Sequence, residues 1–130
     1  MKKIYIACSL TQAPEEFKKH IEILKKELRK NYEVLEWLGL VKGTPKDVYY
    51  HDTQMVKDCD LLLAEVSYPA IGLGFELALA LQLKKPIFAM AKKNAKVSRL
   101  LMGIDEPNYN FVRYNNIDEI ISLIKSKLDG

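Results

Sequence analysis

The chain has 130 residues, 48% hydrophobic and 28% charged, with a formal net charge of +3. That is the make-up of a single globular domain over residues 1–130, and it excludes a low-complexity or disordered chain. The charge is too small to argue for nucleic acid, and no stretch is apolar for long enough to span a membrane once Pro69, the glycines and Glu76 interrupt the central run.

Residues 3–8 (KIYIAC) are predicted to form a strand that ends in a polar loop over 9–13. Pro14 then opens a helix, with Glu15 and Glu16 in its first turn and Phe17, Ile21, Leu24 and Leu28 as its buried stripe. The lysines between them, including Lys18, Lys19, Lys25 and Lys26, are assigned to the solvated face. Residues 32–37 read as a second strand, 39–44 as a loop, and Pro45 starts a helix that lasts to about Cys59. A third strand over 61–66 is followed by a turn-rich loop over 67–74 and a helix that opens near Phe75. Residues 85–90 make a fourth strand, 91–96 a basic loop, and 97–102 a short helix stopped by Gly103. The last strand covers 110–114 and the last helix 117–128.

Met1–Leu10 has the two lysines and the Ala-Cys pair of a lipoprotein leader, but its apolar part is too short, so it is assigned to the first strand. Cys8 and Cys59 lie far apart with no metal or redox spacing, which points to a reduced, cytoplasmic compartment. Neither a metal nor a cofactor is expected.

Five alternations of strand and helix predict a flavodoxin-like, doubly wound parallel α/β sheet of order 2-1-3-4-5. In such a sheet ligands sit beyond the carboxyl ends of the strands, at the switch between the first and third. Those ends carry 8–11 and 67–76, so two separate loops should meet at one pocket.

Glu76 is the one charge in an otherwise apolar helix, and an unpaired buried carboxylate is costly. Placed in the first helical turn behind two glycines, it is expected to be held ionised by the helix end, as a candidate nucleophile or base. Gly72-Leu-Gly74 lacks the third glycine of a dinucleotide fingerprint, since Leu77 stands there, and no P-loop lysine follows. The two glycines are expected to let the backbone approach a small ligand and the sheet. Asp52 reads by default as a solvated helix aspartate and His51 as a surface or partly buried histidine; Tyr5, alone in the first strand, reads as core. Ser9 and Thr11 can bind a hydroxyl-rich or phosphorylated ligand or cap the next helix.

In combination, KIYIACSLT, HDTQMVKDCDLLLAEVSYPAIGLGFELALAL, KPI and VSRLLMG resemble the nucleoside 2-deoxyribosyltransferase superfamily, above all its 2'-deoxynucleoside 5'-phosphate N-hydrolases. The resemblance covers almost the whole chain. It implies that Glu76 is a nucleophile forming a covalent deoxyribosyl intermediate, released by water in the hydrolases or by a second base in the transferases. It implies that Asp52 protonates the leaving base or anchors a sugar hydroxyl, and that Tyr5 favours 2'-deoxyribose. Ser98 would reach a 5'-phosphate in the adjoining subunit of a homodimer.

Two positions depart from the pattern. Ala70 stands where the hydrolases usually carry a serine and the transferases an aspartate, and Thr11 where the hydrolases tend to carry an arginine. A phosphate grip would then rest on Ser9, Thr11, Ser98, the backbone near Gly72 and Gly74, and Arg99 or Lys92. The expected activity is hydrolysis of the base–sugar bond of 2'-deoxynucleoside 5'-monophosphates, with base exchange between deoxynucleosides as the alternative. A non-catalytic nucleotide-binding module on the same fold is a third.

Overall fold

The computed structural model describes residues 1–39 and 41–129. Leu40, inside the loop expected over 39–44, lies outside the described residues. In chain order the elements are β1 (Lys3–Cys8), α1 (Glu15–Leu28), β2 (Glu33–Leu35), α2 (Pro45–Asp58), β3 (Leu61–Glu65), α3 (Ile71–Gln82), β4 (Ile87–Lys92), α4 (Arg99–Met102), β5 (Tyr109–Tyr114) and α5 (Ile117–Asp129). All strand pairs are parallel and the sheet order is β2-β1-β3-β4-β5, as the alternation predicted.

The pleat sorts the strand residues between two apolar layers. Ile4, Ile6, Leu61, Leu63, Phe88 and Met90 face α1 and α5, where Phe17, Ile21, Leu24 and Ile124 meet them. Tyr5, Ala7, Leu62, Ala64, Ile87 and Ala89 face α2 and α3. A strand covered on both sides cannot alternate polar with apolar, which is why LLLA in β3 is a continuous apolar run. Cys8 pairs with Glu65 across β1 and β3. The two strands therefore end level, and their loops leave the sheet side by side.

Several boundaries differ from expectation for local reasons. Strand β2 stops at Leu35, because the chain beyond it turns to give the Leu38 N–H to Asp52. Strand β4 begins at Ile87: Lys85 is drawn away, its N–H bonded to Ala80 O and its Nζ to Cys59 O. Helix α3 begins at Ile71, four residues before the expected opening near Phe75. Glycine disfavours a helix by about 1 kcal/mol, but burial of Leu73 against the sheet and the Gly74 N–H to Ala70 O bond carry the turn through Gly72 and Gly74. Lys25 is not solvated as assigned. Its side chain is buried, with Nζ 2.8 Å from Glu36 Oε2 and 3.5 Å from the centre of the Trp37 ring.

Among the described residues no helix is long and apolar enough to cross a membrane.

Candidate active site

A cleft of about 680 Å³ opens where β1 and β3 end, lined among others by Thr11, Asp52, Ala70, Gly72, Leu73 and Glu76. Each of its walls is set by the fold just described. The loop after β1 brings Thr11 and Gln12, the start of α3 brings Ala70 and Gly72, and α2 brings Asp52 across from Glu76.

Glu76 projects from α3 towards β1, where Tyr5 Oη donates to its Oε2 at 2.5 Å. Tyr5 is 1% exposed and its ring fills the space between sheet and helix. Burial raises the Glu76 carboxyl to about 7; the Tyr5 hydrogen bond opposes that rise, and the charge of Asp52 adds to it. Two expectations are thereby corrected. Glu76 is the sixth residue of α3, beyond the first turn, so the helix end does little for it. Its carboxyl is pushed towards the neutral form rather than held ionised. The Tyr5 hydroxyl is displaced far upward, by burial first and then by Glu76, and remains the donor of the pair.

Asp52 is not a solvated helix residue. Its Oδ1 accepts the Leu38 N–H at 2.9 Å and lies 2.9 Å from His51 Nδ1, and its side chain borders the cleft. Among the described residues no hydrogen bond is made to the second oxygen, Oδ2. His51, read from the sequence as a bystander, is the residue that steadies it. Burial raises the Cys8 thiol, which also borders the cleft, to about 12 and so keeps it protonated.

The other sequence candidates are placed unevenly. Thr11, Ala70 and Gly72 line the cleft. Ser9 is buried and its Oγ accepts the Gln12 N–H at 3.2 Å, so it shapes the loop instead of facing the cleft. Gly74 lies one step further into α3 and does not line it. Ser98 caps α4, accepting the Leu100 N–H, and borders no part of this cleft within one chain. Nothing comes within 4 Å of where a Cβ would stand at Gly72 or Gly74. Close packing on the sheet therefore does not explain these glycines. At Gly72 the open space is the cleft itself.

The N-terminus of α3 is uncapped. Ala70 is extended (φ −160°, ψ 137°) and offers no side-chain acceptor to the first N–H groups. Exposed N–H groups at a helix start attract anions.

Sequence reasoning passed over Gln12, which lines the cleft, and Glu65, a fully buried carboxylate at the end of β3. Glu65 had a signal, a charge inside LLLAEV. Gln12 had none beyond its place in a polar loop. Among the described residues no group of three or more His, Cys, Asp or Glu is placed to hold a metal ion.

The parallel five-stranded sheet of order β2-β1-β3-β4-β5 has the fold of solved N-glycosidase and deoxyribosyltransferase structures. It superposes on the CMP N-glycosidase of Clostridium botulinum with a TM-score of 0.75 at 24% identity, over 98% of this chain and 100% of that one. With the 2-deoxyribosyltransferase of Leishmania mexicana the TM-score is 0.71 at 14% identity, over 98% and 99% of the two chains. A protein of Thermofilum pendens named "Putative 2'-deoxynucleoside 5'-phosphate N-hydrolase 1" is 40% identical over 96 residues, 72% of this chain and 67% of its own length. The chain belongs to the 2'-deoxynucleoside 5'-phosphate N-hydrolase family. It spans about two thirds of the length of the curated relatives it matches. No family model matches it.

The Glu76 carboxyl should titrate near 7 when followed by carbon NMR. Tyr5→Phe removes the hydrogen bond that favours the carboxylate, so the midpoint should move to higher pH. A midpoint near the ordinary 4.5 would show that the site is wetter than its geometry implies.

Proposed function

We propose that the protein is an N-glycosidase that cleaves the base–sugar bond of 2'-deoxynucleoside 5'-monophosphates through a covalent Glu76 intermediate. The observation that carries this is the part-buried Glu76 carboxyl, held on one oxygen by Tyr5 and lining a cleft that Asp52 also lines. Tyr5 occupies Oε2, which leaves Oε1 as the attacking atom. Oε1 bonds to C1' as the C–N bond breaks, and the departing base takes the bonding electrons. Glu76 attacks as the carboxylate while Asp52, the second carboxyl in the cleft, holds the one proton the pair shares and passes it to the departing base. Water then attacks C1' and gives a proton to the Asp52 carboxylate left by the first step, the C1'–Oε1 bond breaks, and Glu76 returns as a carboxylate. The names of the relatives, with N-hydrolase and N-glycosidase among them, support the same reaction class.

The 5'-phosphate is assigned to the open start of α3. Ile71 and Gly72 line the cleft at a helix start that has no side-chain cap, and Thr11 lines the same cleft from the loop after β1. This backbone grip takes the place of the serine and arginine that Ala70 and Thr11 replace.

The active form is assigned as a homodimer. Ile71 and Phe75 on α3, Tyr49 on α2 and Leu100 on α4 are large apolar side chains more than half exposed, and the Tyr49 and Phe75 rings meet edge-on at 6.4 Å. Ile71 also borders the cleft. A partner covering this face would lie close enough to offer its Ser98 to the neighbouring site. Cys8 and Cys59 are both free and buried, which supports a reducing, cytoplasmic setting.

Incubation with a panel of deoxynucleotides should release free base and deoxyribose 5-phosphate. Faster base exchange than hydrolysis would instead make the protein a transferase, and tight binding without turnover would make it a binding module. Glu76→Gln should lower turnover by at least about a thousandfold, about 4 kcal/mol of barrier, with binding largely kept. Asp52→Asn should cost least for bases that leave easily; a uniform loss would make Asp52 a hydroxyl anchor.

Gly72→Ala has room to fold, since nothing lies within 4 Å of the added methyl, and it changes a residue that lines the cleft at the start of α3. It should raise KM for phosphorylated substrates by about tenfold, the worth of one charge-assisted hydrogen bond, and change unphosphorylated nucleosides little. Equal effects on both would remove the phosphate from the start of α3. Sedimentation at micromolar concentration should give a dimer; a monomer would leave Ser98 without a role in the site.

A further inference from the structure

A second cleft, of about 660 Å³, lies at the carboxyl ends of β3, β4 and β5 and shares no lining residue with the Glu76 cleft. It opens on the side of the sheet covered by α1 and α5. Lys92, Lys93 and Lys96 all line it, with His20, Tyr68 and Asn115 around them. Among the described residues no Asp or Glu lines it, and none of the three lysines takes part in an ion pair. We infer that this cleft binds a small phosphorylated compound, its phosphate held by Lys92, Lys93 and Lys96.

The turn carrying these lysines is fixed by the fold. Arg113 Nη1 on β5 donates to three carbonyls of the turn, Lys92 O at 3.1 Å, Lys93 O at 3.2 Å and Ala95 O at 2.9 Å. The Lys93 N–H donates to Tyr114 O, and the Lys92 N–H to Ser67 Oγ at 2.8 Å. The backbone of three residues, Lys92, Lys93 and Ala95, is thus held from the ends of β3 and β5, and Lys96 follows directly on that fixed turn. Preorganised cations lose less entropy on binding than lysines on a free loop.

The floor is also built and already satisfied. Glu65, 0% exposed, accepts the Ser67 N–H at 2.6 Å and hydrogen bonds from Ser67 Oγ and Tyr114 Oη. Tyr114 Oη lies 2.8 Å from His20 Nε2. Glu65 is therefore occupied with its own donors and makes no ion pair with the lysines, although Lys92 lies near enough to favour its charged form. Burial, and after it the Lys92 charge, hold His20 below its ordinary value, so it adds a neutral wall. Outside the lining, Glu119 on α5 is engaged with the Asn115 N–H.

Three cations within five residues suit an anion of more than one charge, and one carboxylate would leave most of them unpaired. The volume exceeds what inorganic phosphate needs and admits a compound up to nucleotide size. Tyr68, packed edge-on against Phe17 at 4.9 Å, offers an apolar wall for the rest of it. Lys92, a sequence candidate for the substrate phosphate, belongs to this cleft and not to that of Glu76.

Pyrophosphate is the probe, titrated calorimetrically into the full chain at constant ionic strength, with inorganic phosphate and sulfate as comparisons. Pyrophosphate should bind saturably, more tightly than sulfate, and shift the side-chain amide signals of Asn94 and Asn115 in a nitrogen–proton NMR spectrum. Lys92→Gln with Lys96→Gln should weaken it at least tenfold, and Gly72→Ala should not. Loss with Gly72→Ala but not with the lysine pair would place the anion in the Glu76 cleft and overturn the inference. Equal binding of sulfate and pyrophosphate, unaffected by the lysine changes, would reduce it to general electrostatics. If the double variant proves unstable, Lys96→Gln alone, at an exposed position, decides between the same outcomes.

Discussion

A carboxyl group inside an apolar helix must take its solvation from whatever lies beneath it, and for Glu76 that is the Tyr5 hydroxyl. The contact ties α3 to β1 across 71 residues of sequence. It depends on the sheet order, because β1 lies next to β3 and α3 packs over both. One hydrogen bond is not full compensation. The rise to about 7 means that the ionised form is disfavoured by about 3 kcal/mol relative to a glutamate in water. A carboxylate in that condition gains by meeting a positive centre, which is the physical ground for the proposed role of Glu76.

The second buried glutamate shows the opposite solution. Glu65 ends β3 and points to the other side of the sheet, where Ser67 and Tyr114 give it three hydrogen bonds. Burial still raises it above the ordinary range, but no cleft reaches either of its oxygens. It fixes the start of the loop that leads to Ala70 and so holds one wall of the Glu76 cleft from behind. Two residues of the same type, eleven apart, thus differ in how many donors each one meets: Glu65 has three hydrogen bonds and Glu76 one.

The start of α3 follows similar logic. Its first turn contains two glycines and no capping side chain, which is poor local design for a helix. Leu73, Leu77 and Ala80 anchor the helix to the sheet instead. Because tertiary packing carries the helix, its first N–H groups can stay open to a ligand. The same helix leaves Phe75 and Ile71 uncovered, so one element joins the cleft floor to an apolar outer face.

Strand–helix alternation, the stripe of α1 and the level ends of two apolar strands were legible in the sequence, because parallel strands and amphipathic helices impose periodicities on the residues that build them. A lone charge in an apolar helix singled out Glu76, family resemblance added Asp52 and Tyr5, and the fold brings these three together. Periodicity says nothing about what a side chain meets across the fold. The early start of α3 depended on Leu73 finding the sheet, against the local preference of Gly72 and Gly74. The raised carboxyl of Glu76 depended on burial beneath α2, and the siting of Asp52 on an N–H at Leu38. The separation of Lys92 from Glu76 depended on which side of the sheet each element packs. Sequence determined the order of the elements and the chemistry each carries; only the tertiary structure decided the partners, because burial and distance are properties of the packed chain.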